Sequence, residues 1–170
     1  MSLAGSSQPQ NWSRAYALQA LSDLRARETL ELPSVDRCHS LHFLQMAAEK
    51  TCKAHLSAEN NNRDVKRTHA YVRQVLPVVA RAFYSRLNNG TAMPQWQVAQ
   101  VRRMSAEIEL LAPACDDGES RMDNSEYPWL DGQGLVQVPC EYKFMSIDEG
   151  SKTFTLVIKL LRAAANVYAR

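Results

Sequence analysis

A stripe of apolar and small residues at three- and four-residue steps between positions 41 and 56 most constrains the fold of this chain. Its members are Leu41, Leu44, Ala48, Cys52, His55 and Leu56. Side chains at this spacing share one face of an α-helix. The neighbouring Ala47 and Ala48 would let another helix approach closely. We therefore expect a helix over 36–56 that packs within a helical bundle.

Similar stripes elsewhere predict the same fold class. They indicate helices over 12–30, 69–87 and 94–111, and a last helix that Ser151 opens. Pro77 predicts either a kink in the third of these segments or the start of a new helix. We expect an all-α fold: a four- to five-helix up-and-down bundle with a long acidic insertion before the last helix.

Charged residues on these helices are expected to face water. Glu49 and Lys53 are four residues apart with the acid first, which favours an ion pair on the solvent side. Arg14, Arg25 and Arg27 are assigned to the exposed face of the first helix. The polar segment 57–68 is read as a loop. Asn88, Asn89 and Gly90 predict a left-handed C-cap after the third helix.

The length of 170 residues fits one domain. We expect residues 1–10 to be a disordered N-terminal segment and residues 11–170 to form a single bundle domain. Between 113 and 150 the helical period disappears, and acids, Gly and Pro predict a long acidic loop insertion. Within it, 135–144 is a candidate extended segment or hairpin arm, although Pro139 argues against a central strand.

Several classes of protein and site are excluded. No apolar run reaches the roughly 18 residues of a membrane span, and the N-terminus lacks the features of a secretory signal. We therefore expect a soluble, cytoplasmic protein with no membrane partner. The four cysteines lack CxxC spacing and are expected to be free thiols. The pairs Cys38–His42 and Cys52–His55 lie too far apart to share an ion, so we expect no metal and no cofactor.

The net charge of +2 hides an uneven distribution. Residues 37–86 hold nine Lys or Arg and three acids, whereas residues 107–149 hold eleven acids and two basic side chains. The two segments can attract each other, meet separate partners or form solvated faces. A basic stretch of this kind can also follow a phosphate backbone. Its members are Arg63, Lys66, Arg67, Arg73, Arg81 and Arg86.

The central helix also resembles the signature helix of the HEPN (higher eukaryotes and prokaryotes nucleotide-binding) family. The matching residues are Phe43, Gln45, Ala47, Ala48, Glu49, Lys50, Lys53, Ala54 and Leu56. The resemblance covers the helix order from Trp12 to Leu111 and, more loosely, the last helix. It implies a link to nucleotides or RNA, often in toxin–antitoxin or defence systems and often as a homodimer.

HEPN ribonucleases resemble one another in an Arg followed, after four to six residues, by a His. Arg63 and His69 fit that spacing. In such a site His would move the proton of the ribose 2′-hydroxyl, and Arg would stabilise the charged phosphate without a metal. The position of the pair before the third helix instead favours a His that caps or starts the helix.

A second resemblance lies at Glu126-Tyr127-Pro128-Trp129. HEPN domains often carry Arg-Tyr-Pro before the last helix, and here Glu126 replaces the Arg. The two aromatic rings can stack a base or pin the loop to the core. The residues assigned to nucleotide or RNA binding are Lys50, Lys53, Arg67, Arg73, Tyr127 and Trp129.

Three functions remain open. The first is a non-catalytic HEPN-like module that binds a nucleotide, RNA or a protein partner. The second is a metal-independent endoribonuclease that uses Arg63 and His69. The third is a purely structural interaction bundle that dimerises through the face carrying Ala47 and Ala48.

Overall fold

The computed structural model describes residues 12–59, 72–113 and 121–170. The helices in these ranges are α1 (Trp12–Thr29), α2 (Arg37–Glu59), α3 (Val72–Leu87), α4 (Gln95–Leu110) and α5 (Lys152–Tyr168). Two short strands between α4 and α5, β1 (Trp129–Leu130) and β2 (Val136–Gln137), pair antiparallel. The fold is an all-α bundle, which confirms the predicted class.

Helices α2 and α5 lie at the centre of the packing, because each of them contacts all four of the other helices. Short connections make α1–α2 and α3–α4 two helical hairpins. In the described ranges α1 packs against α2 and α5 but against neither α3 nor α4. The two hairpins therefore meet through α2 and α5, and each keeps an outer side of its own.

The predicted stripes form the core. Leu41, Leu44 and Cys52 of α2 are fully buried. The inward residues of α4 and α5 are buried as their spacing predicts. Ser151 caps α5, since its Oγ accepts a hydrogen bond from the Phe154 N–H at 3.1 Å. The periodicity of apolar residues therefore located both the helices and their buried faces.

Helix ends follow the local sequence with one exception. Helix α3 continues through Pro77, so no new helix begins there. The left-handed C-cap after α3 is confirmed, because Asn89 and Gly90 have φ angles of 51° and 85°. Residues 57–59 were expected in a loop but extend α2, and that expectation was wrong. The remainder of the predicted loop, up to residue 68, lies outside the described residues.

The described part of the acidic segment, residues 121–150, is folded against the bundle. The ring of Trp129 packs edge-on against Tyr142, and Tyr142 packs edge-on against Phe144, each pair with centroids 5.0 Å apart. Phe144 and Ile147 are buried in the main core. The predicted hairpin arm within 135–144 is confirmed by β2. Aromatic anchors therefore order a segment whose sequence lacks helical periodicity.

Two arginines hold this segment to the first hairpin. Arg27 was expected in water, but that expectation was wrong, because the residue is 4% exposed. Its Nη2 donates to Glu149 at 2.7 Å, and its guanidinium lies 4.9 Å from the Phe154 ring centroid. Arg37 Nε donates to the same carboxylate at 2.7 Å. Part of the attraction between basic and acidic segments is therefore satisfied within the chain.

Candidate functional site

A groove of about 590 Å³ runs along the outer side of the α3–α4 hairpin. Of the residues that the structure describes, eight line it: Arg73, Gln74, Pro77, Val78, Arg81, Arg102, Arg103 and Ala106. Four of these are arginines and none is acidic. We call this surface the arginine groove.

Helical spacing explains why the arginines meet. Arg73, Pro77 and Arg81 recur every four residues, so they form one stripe along α3 beside its core face. Arg102 and Arg103 lie on the polar side of α4, opposite its buried residues. Because the two helices run antiparallel across a short connection, the two polar sides border the same groove.

The four guanidinium groups of the arginine groove are exposed and unneutralised within the described ranges. The ion pairs found among described residues involve other side chains. Glu109 lies near, but its Oε2 accepts the backbone N–H of Arg73 at 2.9 Å. That bond serves the first turn of α3 rather than the guanidinium. The groove therefore presents concentrated positive charge to solvent.

The arginine groove also has an apolar strip. Pro77, Val78 and Ala106 line it between the guanidinium groups, and Val78 is 52% exposed. Guanidinium groups provide planar forks of N–H donors that match phosphate oxygens. An apolar strip beside them suits the flat part of a ligand whose other part is anionic.

The predicted binding residues Lys50 and Lys53 lie elsewhere, between α1 and α2. Lys50 Nζ is 2.6 Å from Asp23 Oδ2, and Lys53 Nζ is 2.7 Å from Glu49 Oε1. Lys53 also lies 5.9 Å from the Tyr16 ring centroid. The Glu49–Lys53 pair forms as predicted, but both residues are buried, so its expected position on the solvent side was wrong. We call these two ion pairs the paired-charge interface.

Amides extend the paired-charge interface. Gln19 Nε2 donates to Asp23 Oδ1 at 3.2 Å, and Gln45 Nε2 donates to Glu49 Oε2 at 3.0 Å. Buried charges are tolerated only when such partners replace water. The two lysines are therefore engaged inside the bundle, away from the arginine groove.

The remaining predicted site residues are dispersed. Arg73 lines the arginine groove. Arg63, Arg67 and His69 lie outside the described residues, so the catalytic role of Arg63 and His69 stays a prediction. Of the basic stretch, Arg86 lies away from the groove, with its guanidinium 4.7 Å from the Phe83 ring centroid.

The Glu126–Trp129 stretch separates its two aromatic side chains. Asn124 Oδ1 accepts the backbone N–H groups of Glu126 and Tyr127 at 2.9 and 2.7 Å, which orders the turn. Tyr127 is 53% exposed, whereas Trp129 is 4% exposed and packs on Tyr142. Tyr127 is thus exposed to solvent, whereas Trp129 anchors the segment, and base stacking on Tyr127 stays a prediction.

The alanines proposed as a dimer face are internal. Ala47 and Ala48 are fully buried by the helices of their own chain. Their small size serves close helix packing within the protomer, so the expected use of this face by a second copy is corrected. The homodimer itself stays a prediction.

Three titratable groups lie in or beside the core: His55 and Cys52 are buried, and Tyr168 is half-buried. His55 Nδ1 is 2.7 Å from the Tyr168 hydroxyl, which joins the end of α2 to the end of α5. Burial is the main cause that raises the pKa of Tyr168. Burial also raises the pKa of the Cys52 thiol, with further contributions from the charges of Glu49 and Glu109.

Sequence reasoning missed half of the arginine groove. It counted basic residues only up to Arg86, so Arg102 and Arg103 were left out. The sequence did contain a signal for them: Arg102 and Arg103 are adjacent on the polar side of α4, and α4 follows α3 after a short connection. Two such helices lie side by side, and their polar stripes can then be read together.

Comparisons with known proteins add no family. Neither a family model, nor a curated protein, nor a solved structure matches this chain. No helix in the described ranges combines the length and apolarity needed to cross a membrane. Among the same residues, no cluster of three or more His, Cys, Asp or Glu side chains is arranged to hold a metal ion.

Proposed function

We propose that this protein is a non-catalytic, HEPN-like helical module that binds RNA or a nucleotide through the arginine groove. The observation that carries the proposal is the set of four exposed arginines with no acidic residue among the described groove-lining side chains. Guanidinium groups bind phosphate oxygens in paired, charge-assisted hydrogen bonds. The resemblance of α2 to HEPN helices supports the link to nucleotides and extends the proposal to a toxin–antitoxin or defence setting.

The paired-charge interface narrows the proposal to one surface. Lys50 and Lys53 have carboxylate partners at 2.6 and 2.7 Å, and recruiting either lysine to a ligand would leave a buried carboxylate unpaired. The groove arginines carry no such cost within the described ranges. A polyanion therefore gains most by binding between α3 and α4.

The test is the affinity of the full chain for a fluorescently labelled RNA, measured by anisotropy over a salt series. Replacing Arg102 and Arg103 with Ala should weaken binding on the order of 100-fold, at about 1.4 kcal/mol for each lost contact. The slope of log K against log salt should fall by about 1.4, or about 0.7 for each phosphate contact on a single strand.

The matched control replaces Arg25 and Lys159 with Ala. Both are exposed and neither is among the described residues that line the groove, so the control removes the same net charge outside it. Equal weakening by the two double variants would contradict the groove as the binding surface. RNA integrity is followed in EDTA at the same time, and cleavage would overturn the non-catalytic half of the proposal.

A further inference from the structure

Trp96 on α4 is exposed, and its contacts with the described residues show no structural role for its ring. Its side chain is 62% exposed, more than that of Trp12 at 40% or Tyr127 at 53%. The aromatic contacts found among described residues join other rings and leave Trp96 out. Leaving so large an apolar ring in water forgoes the gain from burial.

Trp96 lies on the same side of α4 as the arginine groove. It precedes Arg103 by seven residues, which is two helical turns, so the two side chains share one outer face. The distance along the helix axis is about 10 Å. A strand that leaves the groove past Arg103 therefore reaches the indole ring.

The combination of a cationic groove and an exposed aromatic ring distinguishes between forms of nucleic acid. Single strands expose the faces of their bases, and base stacking on an aromatic side chain is worth about 1–3 kcal/mol. A duplex stacks its bases internally but has the higher charge density, so a purely electrostatic groove would favour the duplex. Trp96 adds a contact that only unpaired bases can use.

We propose that the arginine groove accommodates single-stranded nucleic acid, with phosphates on the groove arginines and one base stacked on Trp96. This inference rests on the proposed function and specifies its substrate class. The apolar strip of Pro77, Val78 and Ala106 accepts the base or ribose that lies between the phosphate contacts.

The experiment compares three ligands on the full chain. They are a single-stranded RNA of about 12 nucleotides, the same RNA paired with its complement, and inorganic polyphosphate, which has no bases. The wild-type protein should bind the single strand more tightly than the duplex. Trp96→Ala should weaken single-strand binding about tenfold and change polyphosphate binding less than about twofold.

Two variants serve as controls. Trp96→Phe keeps an aromatic face and should restore most of the affinity. Trp12→Ala removes the ring of another tryptophan, on α1, which contacts neither α3 nor α4 within the described ranges, and should leave all three affinities unchanged. Circular dichroism confirms that each variant retains its helices.

The possible outcomes distinguish a failure of this inference from a failure of the proposed function on which it rests. Equal affinity for single strand and duplex, together with no effect of Trp96→Ala, would overturn the inference. Binding of polyphosphate in the same experiment would still support the arginine groove as the anion-binding surface. Absence of binding to all three ligands would overturn both. Loss of single-strand affinity alone in Trp96→Ala supports both.

Discussion

The two helical hairpins of this bundle use charge in opposite ways. At the paired-charge interface of α1 and α2, two carboxylates and two ammonium groups form ion pairs at 2.6 and 2.7 Å with little exposure to water. At the arginine groove of α3 and α4, four guanidinium groups have no carboxylate partner among the described residues. A charge that the fold neutralises is unavailable to a ligand. Proximity of basic residues in the sequence therefore does not identify a binding surface by itself.

The largest expected effect comes from breaking one pair at the paired-charge interface. Glu49→Gln keeps the shape of the side chain but replaces one acceptor oxygen with an NH₂ donor and leaves the buried Lys53 ammonium without its anion. We expect a loss of about 3–5 kcal/mol in the free energy of unfolding, measured by urea denaturation, because an uncompensated buried charge lacks its hydration.

Two further variants show whether burial is the cause. Adding Lys53→Met to Glu49→Gln removes the orphaned charge and should recover most of the lost stability. Glu28→Gln makes the same chemical change in the exposed pair of Glu28 with Arg162 and should cost less than about 1 kcal/mol. Equal costs for the buried and exposed changes would show that water reaches both pairs alike.

The contrast also explains which parts of the fold could be predicted. Apolar periodicity located all five described helices, because burial of an apolar stripe is a local pattern with a fixed period. The C-cap at Asn89 and Gly90 could also be predicted from a local signal, because Asn and Gly are the residues that most readily adopt a left-handed backbone conformation. The burial of Arg27 and Lys53 could not be predicted from the sequence. It depends on Glu149, Phe154 and other partners that tertiary packing supplies.

The candidate site was predicted less well than the fold. Arg73 was assigned to binding and lines the groove, whereas Lys50 and Lys53, which were assigned to binding with it, form ion pairs between α1 and α2. Arg102 and Arg103 belong to a different helix from Arg73. A site made by two helices appears in the sequence only when their faces are aligned with each other.

The second effect in size is a loss of stability at alkaline pH. Burial raises the pKa of Cys52 above the ordinary 9.0 of a thiol. A group whose pKa is raised on folding contributes stability that is fully present below its unfolded pKa and lost as pH rises. Between pH 9 and 10 the free energy of unfolding should therefore fall by up to about 1.4 kcal/mol per pH unit. Tyr168 adds the same trend above its ordinary value of 10.0.

Cys52→Ala should reduce this slope between pH 9 and 10, where Tyr168 contributes little. Cys140→Ala removes an exposed thiol and provides the matched comparison. A slope that Cys52→Ala leaves unchanged would assign the alkaline loss to other groups.

The smallest expected effect tests whether the groove arginines are dispensable to the fold. Four like charges around one groove repel one another, and salt screens that repulsion over about 10 Å at 0.1 M. Arg103→Gln should change the free energy of unfolding by less than about 0.5 kcal/mol and should reduce the stabilisation that added NaCl gives the wild type. Lys159→Gln on α5 is the control for an exposed cation that is not among the described groove-lining residues. A loss above about 1 kcal/mol in Arg103→Gln would mean that the fold already pairs this guanidinium. In that case the difference between the two hairpins would disappear, and the groove would share the structural role of the paired-charge interface.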